Sequence, residues 1–322
     1  MDNIEAVNPP QAKPDSGKLK KTSNYLKRYW TLYLLLLLPL VYFIIFRYIP
    51  MFYVQIAFKE YRLNMPIWEM EWADNYGFKY FIEAFRNRDF RYAIRNTLGL
   101  NLLDLVVGFP APIILAVLLN ELPFRKFKRL TQTVSYMPHF LSWIIIASLA
   151  NQLFATSTGL VNIFINNLGM ESIHFLDREV NWIITFCLLG VWQNLGWGSI
   201  IYLAAITGIS PELYEAAAVD GASRLRKIWH ITLPGIRSTI VTLLIMNLGR
   251  IIGSDFDRPW ALRNQLVKGV SDVLSIFVYV NGITSSKFEL ATAVGLFQSV
   301  VCLIFLLGSN ALAKKFGERG VW

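Results

Sequence analysis

The chain has 322 residues, of which 54% are hydrophobic and 16% charged, with a formal net charge of +9. A soluble domain carries about 25% charged residues, so this composition excludes an ordinary soluble enzyme, and the length allows several membrane spans of about 20 apolar residues each. The basic residues sit in short clusters between apolar runs, which fits orientation signals for insertion and not a nucleic-acid face.

Residues 1–24 are polar, with Pro9, Pro10, Pro14 and the cluster Lys18, Lys20, Lys21. They are expected to form a disordered cytoplasmic tail, leaving residues 25–322 as one transmembrane domain. Lys27 and Arg28 precede the first apolar run, residues 29–49. That run is long for a signal peptide and no small-residue cleavage site follows, so it reads as a retained span. Residues 51–92 carry six basic and six acidic residues. Phe78, Tyr80, Phe81, Phe85 and Phe90 there suggest an amphipathic helix lying against the spans or the membrane surface.

Further spans are expected at about 97–119, 134–154, 182–206, 236–252 and 290–312. Between the second and third lies a basic loop with Arg125, Lys126, Lys128 and Arg129. Residues 155–180 set Glu171, Asp177 and Glu179 against Arg178. The loop after the fourth span carries Arg224, Arg226 and Lys227, residues 253–288 form an outer segment, and Lys314, Lys315 and Arg319 follow the sixth span. Placing every basic cluster inside closes the topology with six spans and both termini cytoplasmic. Cys187 and Cys302 fall in apolar runs and read as small buried hydrophobes. His139, His174 and His230 lack ligand spacing, so no metal site and no catalytic residue is expected. No Gly-x-x-x-x-Gly-Lys-Ser/Thr loop is present; any ATP belongs to a partner.

The most polar short segment of the second half is Glu215-Ala216-Ala217-Ala218-Val219-Asp220-Gly221, continuing to Ile231-Thr232-Leu233-Pro234. Ser210 is placed to cap a helix, Pro211 suits its first position and Glu212 favours its positive end. Gly221 allows the chain to leave that helix. Ser223 is placed to cap a second short helix that stops before Pro234. The spacing Glu-Ala-Ala, three residues, Gly, nine residues, Ile-x-Leu-Pro resembles the EAA motif of binding-protein-dependent ABC importer permeases. Asn96-Thr97, Gly108-Phe109-Pro110-Ala111-Pro112, Tyr136-Met137-Pro138-His139-Phe140, Val191-Trp192-Gln193-Asn194 and Ala293-Val294-Gly295-Leu296 are similar to the carbohydrate branch, related to the maltose permeases. Within it they are most similar to the polysaccharide or lipo-oligosaccharide type.

The resemblance implies an all-α, polytopic, type I ABC importer permease fold of six transmembrane helices in the bacterial plasma (inner) membrane. Its loop between spans four and five would be a cytoplasmic coupling helix that docks into an ATPase, with Glu215, Ala216, Ala217, Asp220 and Gly221 as the coupling residues. The implied partners are a second homologous permease, two ABC ATPase subunits, an extracytoplasmic solute-binding protein and an oligosaccharide. The chain itself carries no cofactor; ATP and Mg would sit on the ATPase. It is no enzyme, and moves substrate by alternating access.

Polar and aromatic groups at membrane depth mark candidate pathway positions, because each is costly against lipid. These are Asp104, Trp192, Gln193, Asn194, Trp197, Asn247, Arg250 and Gln298. Rings stack on the apolar faces of sugars, amides pair with hydroxyls, and Arg250 suits a uronate carboxylate. Each also has a bland reading as an interhelical hydrogen bond, and for Asp104 and Arg250 as a mutual ion pair or a pair of Arg250 with Asp255 or Asp257. The rival function is an ion-coupled secondary transporter, which would require an internal repeat and a complete pathway in one chain.

Overall fold

Long apolar runs with few backbone breakers form helices because hydrocarbon offers no other partner for backbone N–H and C=O groups. The computed structural model describes residues 28–253, 255–317 and 320, and among these there is no strand, only an isolated bridge between Lys59 and Trp72. The expected tail, Lys27 and Arg319 lie outside the described residues. The chain divides into two units, residues 1–55 and 56–322. In the first, the helix beginning at Trp30 (α1, Trp30–Phe58) exposes almost every side chain up to Tyr53. Leu35 and Leu38 are examples.

In the second unit, α2 (Lys79–Arg86) is the expected amphipathic helix. Phe78, Phe81 and Phe85 cluster with Phe58, Phe90 and Phe297. Lys79 Nζ donates to Glu60 Oε1 at 2.5 Å, and this bond holds the ammonium above its ordinary range. Two long helices follow, α3 (Arg88–Glu121) and, later in the chain, a second (Glu179–Thr207); a third, Phe288–Lys315, closes the chain. Between the first two lie Arg125–Phe140 (α4), Trp143–Phe154 (α5) and Leu160–Asn167 (α6), so Glu179–Thr207 is α7. Then come α8 (Pro211–Val219), α9 (Arg224–Gly235) and α10 (Arg237–Leu248). Asp257–Leu262 (α11), Gln265–Ser271 (α12) and Leu274–Thr284 (α13) precede Phe288–Lys315 (α14).

Among the described residues four helices, α1, α3, α7 and α14, are long and apolar enough to cross a membrane. Three bent pairs raise the count to seven by length and composition if each pair is one span. Several expected segments change accordingly. Arg125–Arg129 is not a loop but the first turn of α4. The expected span 134–154 is broken by a 103° bend between α4 and α5, where Leu141 is extended and Ser142 Oγ accepts from Ile145 N. The expected span 236–252 is regular only from Arg237 to Leu248 and meets α9 at 60°. The segment 253–288, expected as a connection between spans, is packed among the helices. It supplies α11 to α13, whose Val267, Val273, Leu274 and Ile276 are at most 2% exposed.

Proline sets a recurrent local feature. In Ile44–Tyr48, Asp104–Gly108 and Ile228–Thr232 the helix widens to a π-turn, and a proline follows two residues later at Pro50, Pro110 and Pro234. In each, the residue just before the proline donates its N–H five residues back: Ile49 to Ile44, Phe109 to Asp104 and Leu233 to Ile228. The wide turn makes room where the proline ring would strike the preceding turn. The short helix after Ser223 therefore does not stop before Pro234, as its sequence suggests, but continues to Gly235.

Three apolar clusters hold the second unit together. Leu100, Ala147, Trp182, Phe186, Leu262, Val267 and Ile276 join α3, α5, α7 and α11 to α13. Phe90, Ala93, Leu274, Phe277, Leu290 and Val294 join α3, α13 and α14. Ala116, Val117, Tyr202, Ile206 and Ile236 join the far ends of α3 and α7 to the segment entering α10. Cys187 is buried, Cys302 half-buried, and both are free thiols.

Candidate functional site

The backbone groups released at the bends are satisfied by buried polar side chains of the long helices. Asn96 Nδ2 donates to the carbonyls of Gly269 and Asp272 at 2.9 Å each, and Thr97 Oγ1 accepts from Leu274 N at 2.9 Å. These bonds close the 110° bend between α12 and α13. Gln193 Nε2 donates to Leu141 O at 3.0 Å and closes the bend between α4 and α5. Glycine allows the close approach beside it: a Cβ at Gly196 would overlap the Ser135 backbone of α4.

Between α3, α7 and α10 lies an open cleft of about 730 Å³. Asn101 and Asp104 enter from α3, Asn194, Trp197 and Tyr202 from α7, and Asn247 from α10. Arg250, Asp255 and Arg258 come from the segment that follows α10. Five of the eight expected pathway residues, Asp104, Asn194, Trp197, Asn247 and Arg250, thus line one cavity. The other three do not. Gln193 is buried and bonded to Leu141. Trp192 lines a separate apolar cavity of about 620 Å³ with Leu149, Leu153 and Leu188. Gln298 is half-buried on α14 and outside the cleft lining.

The Asp104 partner also differs from expectation. Neither Arg250 nor a mutual pair is found; Arg258 Nη1 donates to Asp104 Oδ2 at 2.6 Å and Nη2 to Oδ1 at 3.2 Å. Arg258 Nη2 donates also to the Phe186 carbonyl at 2.6 Å, and the guanidinium lies 3.7 Å from the Phe186 ring centroid. Sequence reasoning missed Arg258 because residues 253–288 read as an outer connection. Its signal was Arg258-Pro259-Trp260, a cation and a ring beside a helix start. Asn101 Nδ2 donates to Ile251 O at 2.7 Å, and Asn247 Nδ2 to Leu243 O at 2.8 Å. Trp197 stacks one face on His139 at 4.6 Å and 3°, and remains 47% exposed. That leaves ring surface for a flat apolar ligand face.

At the other end of α7 the EAA segment forms α8 as expected, with Pro211 in its first turn. Ser210, however, makes no side-chain cap bond. The helix ends in a Schellman arrangement: Ala222 N donates to Ala217 O at 2.8 Å and Gly221 N to Ala218 O at 3.1 Å. Gly221 has φ +70° with nothing within 4 Å of a Cβ, so conformation and not space demands glycine. Glu215, Ala216, Asp220 and Gly221 are exposed and Ala217 half-buried. Ser223 Oγ accepts from Arg226 N at 3.4 Å, capping α9, and Tyr214 bonds Thr232 at 3.0 Å to tie α8 to α9.

Residues 108–254 match the family model of the binding-protein-dependent transport system inner membrane component. Protein LplB of Bacillus subtilis (strain 168) is 45% identical over 298 residues, 92% of each chain. The chain belongs to this permease family. The polygalacturonan/rhamnogalacturonan transport system permease protein YteP of the same organism is 43% identical over 291 residues, 90% of each chain. A bacterial ABC transporter involved in the import of the acidic polysaccharide alginate contains a chain of similar fold, with TM-score 0.83 and 36% identity. The match covers 92% of this chain and 99% of that one. A bacterial alginate ABC transporter in complex with an alginate pentasaccharide-bound periplasmic protein gives 0.84 and 37%, with the same coverage. The fold is that of a type I ABC importer permease in a bacterial membrane. As a permease subunit the chain is a transport component and not an enzyme, with ATP hydrolysis on a separate subunit.

Proposed function

We propose that this chain forms half of the membrane pathway of an ATP-driven, binding-protein-dependent oligosaccharide importer. The observation that carries the reading is the cleft, where three amides, an open indole face and charged groups of both signs converge on one cavity between helices. A second permease would close the cleft into a path, and a solute-binding protein would deliver the sugar from outside. The names of the relatives support a polysaccharide-derived substrate.

Glu215, Ala216, Ala217, Asp220 and Gly221 form the contact with the ATPase, which holds ATP and Mg. On this reading both termini and the α8–α9 loop are cytoplasmic, as the basic clusters suggest. ATP-driven closure of the ATPase pair moves α8, and through the Tyr214–Thr232 bond and the Gly221 bend the motion reaches α9 and α10. The test is purification from the native membrane with identification of bound subunits, followed by uptake in vesicles. A second permease and an ATPase that co-purify, with uptake dependent on ATP, support the reading. A chain that emerges alone and transports on an ion gradient without ATP replaces it with a secondary transporter.

A further inference from the structure

Arg258 holds an unusual position for a charge. The residue is 7% exposed, yet it borders the cleft. Two of its nitrogens are engaged by Asp104 and the Phe186 carbonyl, while Nε is buried without a hydrogen-bond partner. The guanidinium is fixed from the protein side by that carbonyl, by the Phe186 ring and by Trp143, whose ring centroid is 5.4 Å away. It also fills the space that a Cβ at Gly190 would need, so α7 is built around it.

Asp104 is held less firmly. Its side chain is 32% exposed against 9% for Arg258, and Arg258 is its ion-pair partner. It stands on the wide turn Asp104–Gly108 that Pro110 imposes. If the pair opens, Arg258 keeps its carbonyl and its ring contacts, while the carboxylate swings into the cleft. A buried cation left without its counter-ion is costly. Any carboxylate that enters the cleft and takes the place of Asp104 removes that cost, and a guanidinium binds it through a two-pronged hydrogen bond. A neutral sugar hydroxyl accepts a hydrogen bond but brings no charge to offset the buried cation.

We propose that Arg258 is a specificity-determining residue that reads the carboxylate of an acidic, uronate-bearing sugar, with Asp104 as its resting counter-ion, displaced by substrate. This rests on the oligosaccharide-importer reading and narrows it to acidic substrates. Arg250, on the same wall, adds attraction for an anion along the path.

The test uses the importer assembled from this chain and its partner subunits, with two probes of equal length: trigalacturonate and its carboxyl-reduced, neutral trisaccharide. Binding to the detergent-solubilised assembly is measured by equilibrium dialysis without the solute-binding protein, and uptake is measured with it in vesicles. The wild type is expected to bind the acidic probe about tenfold or more tightly than the neutral one, the scale of a hydrogen bond to a charged group. R258Q should bring that ratio close to one. D104N, which leaves the carbonyl and ring anchors of Arg258 in place, should raise the acidic-to-neutral binding ratio above that of the wild type. It serves also if R258Q fails to fold. A structural ion pair alone would lower both affinities together in D104N. A wild-type ratio near one, or a D104N ratio no higher than wild type, overturns the proposal. Equal, ATP-dependent uptake of both probes removes the role of Arg258 and keeps the importer. Discrimination in binding with uptake that ignores ATP keeps Arg258 and removes the importer.

Discussion

Gln193 of α7 and Leu141, at the break between α4 and α5, are joined by a 3.0 Å hydrogen bond from Nε2 to the backbone carbonyl. The bond ties the centre of a long helix to the point where two shorter ones meet at 103°. Leucine at 193 would leave that carbonyl without its amide donor, a cost of about 1–3 kcal/mol. Gln193→Leu is expected to lower the thermal stability of the detergent-solubilised protein without altering which sugar is transported. Unchanged melting together with altered sugar preference would return Gln193 to the pathway.

Asn96 supports the second bend twice over, through Gly269 and Asp272. Asn96→Ala removes both donors and is expected to destabilise by about 2–6 kcal/mol, the sum of two such losses. Proteolysis in mild detergent should then cut first within residues 265–284. Cleavage confined to other segments would contradict this.

The two tryptophans of α7 separate. Trp197 faces the cleft, while Trp192 lines the apolar cavity beside α5. Trp197→Ala is expected to raise the KM for uptake by about tenfold, as the loss of one aromatic stacking platform of about 1–1.5 kcal/mol does. Trp192→Ala should leave KM within about twofold, far below the 1.4 kcal/mol of a tenfold effect. Uptake kinetics on matched vesicles decide it, and equal effects of the two variants would sink the assignment.

Gly221 is constrained by φ alone. Alanine there costs about 1–2 kcal/mol of left-handed strain, whereas asparagine adopts that region more readily. ATP-dependent uptake should fall in the order Gly221→Asn, Gly221→Ala, Gly221→Pro, with proline inactive because its ring forbids positive φ. Membrane insertion, read by immunoblot, should stay constant across the series. Full uptake with proline would remove the coupling role.

The sequence was most informative where local chemistry decides structure. Pro211, the alanines and Gly221 specify α8 and its exit, because a left-handed helix cap is a local event. The long apolar runs of α3, α7 and α14 were equally plain. Hidden were the features that depend on contacts distant in the chain. Nothing local reveals that Val267, Val273, Leu274 and Ile276 are buried, since the partners of their segment, Asn96, Thr97 and Trp182, lie about 80 to 180 residues away. Gln193 was expected in the pathway and Arg258 was missed for the same reason: a polar residue at membrane depth looks alike whether it meets a backbone carbonyl, a counter-ion or a ligand. Charge counting could not separate Arg125–Arg129 in a loop from the same residues on a helix, because orientation depends on charge and not on conformation.

The proline-linked wide turns make three helices carry a slip in rotational phase. Each wide turn takes up one residue more than the regular repeat, so the helix beyond it is offset by up to about 100° from where an unbroken 3.6-residue repeat would set it. In α3 that offset falls between Asp104, which addresses the cleft, and Ala116 and Leu119, which are buried. The two halves of one rod are therefore aimed independently. A substitution at Pro110 would be felt as rotation of one half against the other, with Asp104 and the apolar face competing for alignment.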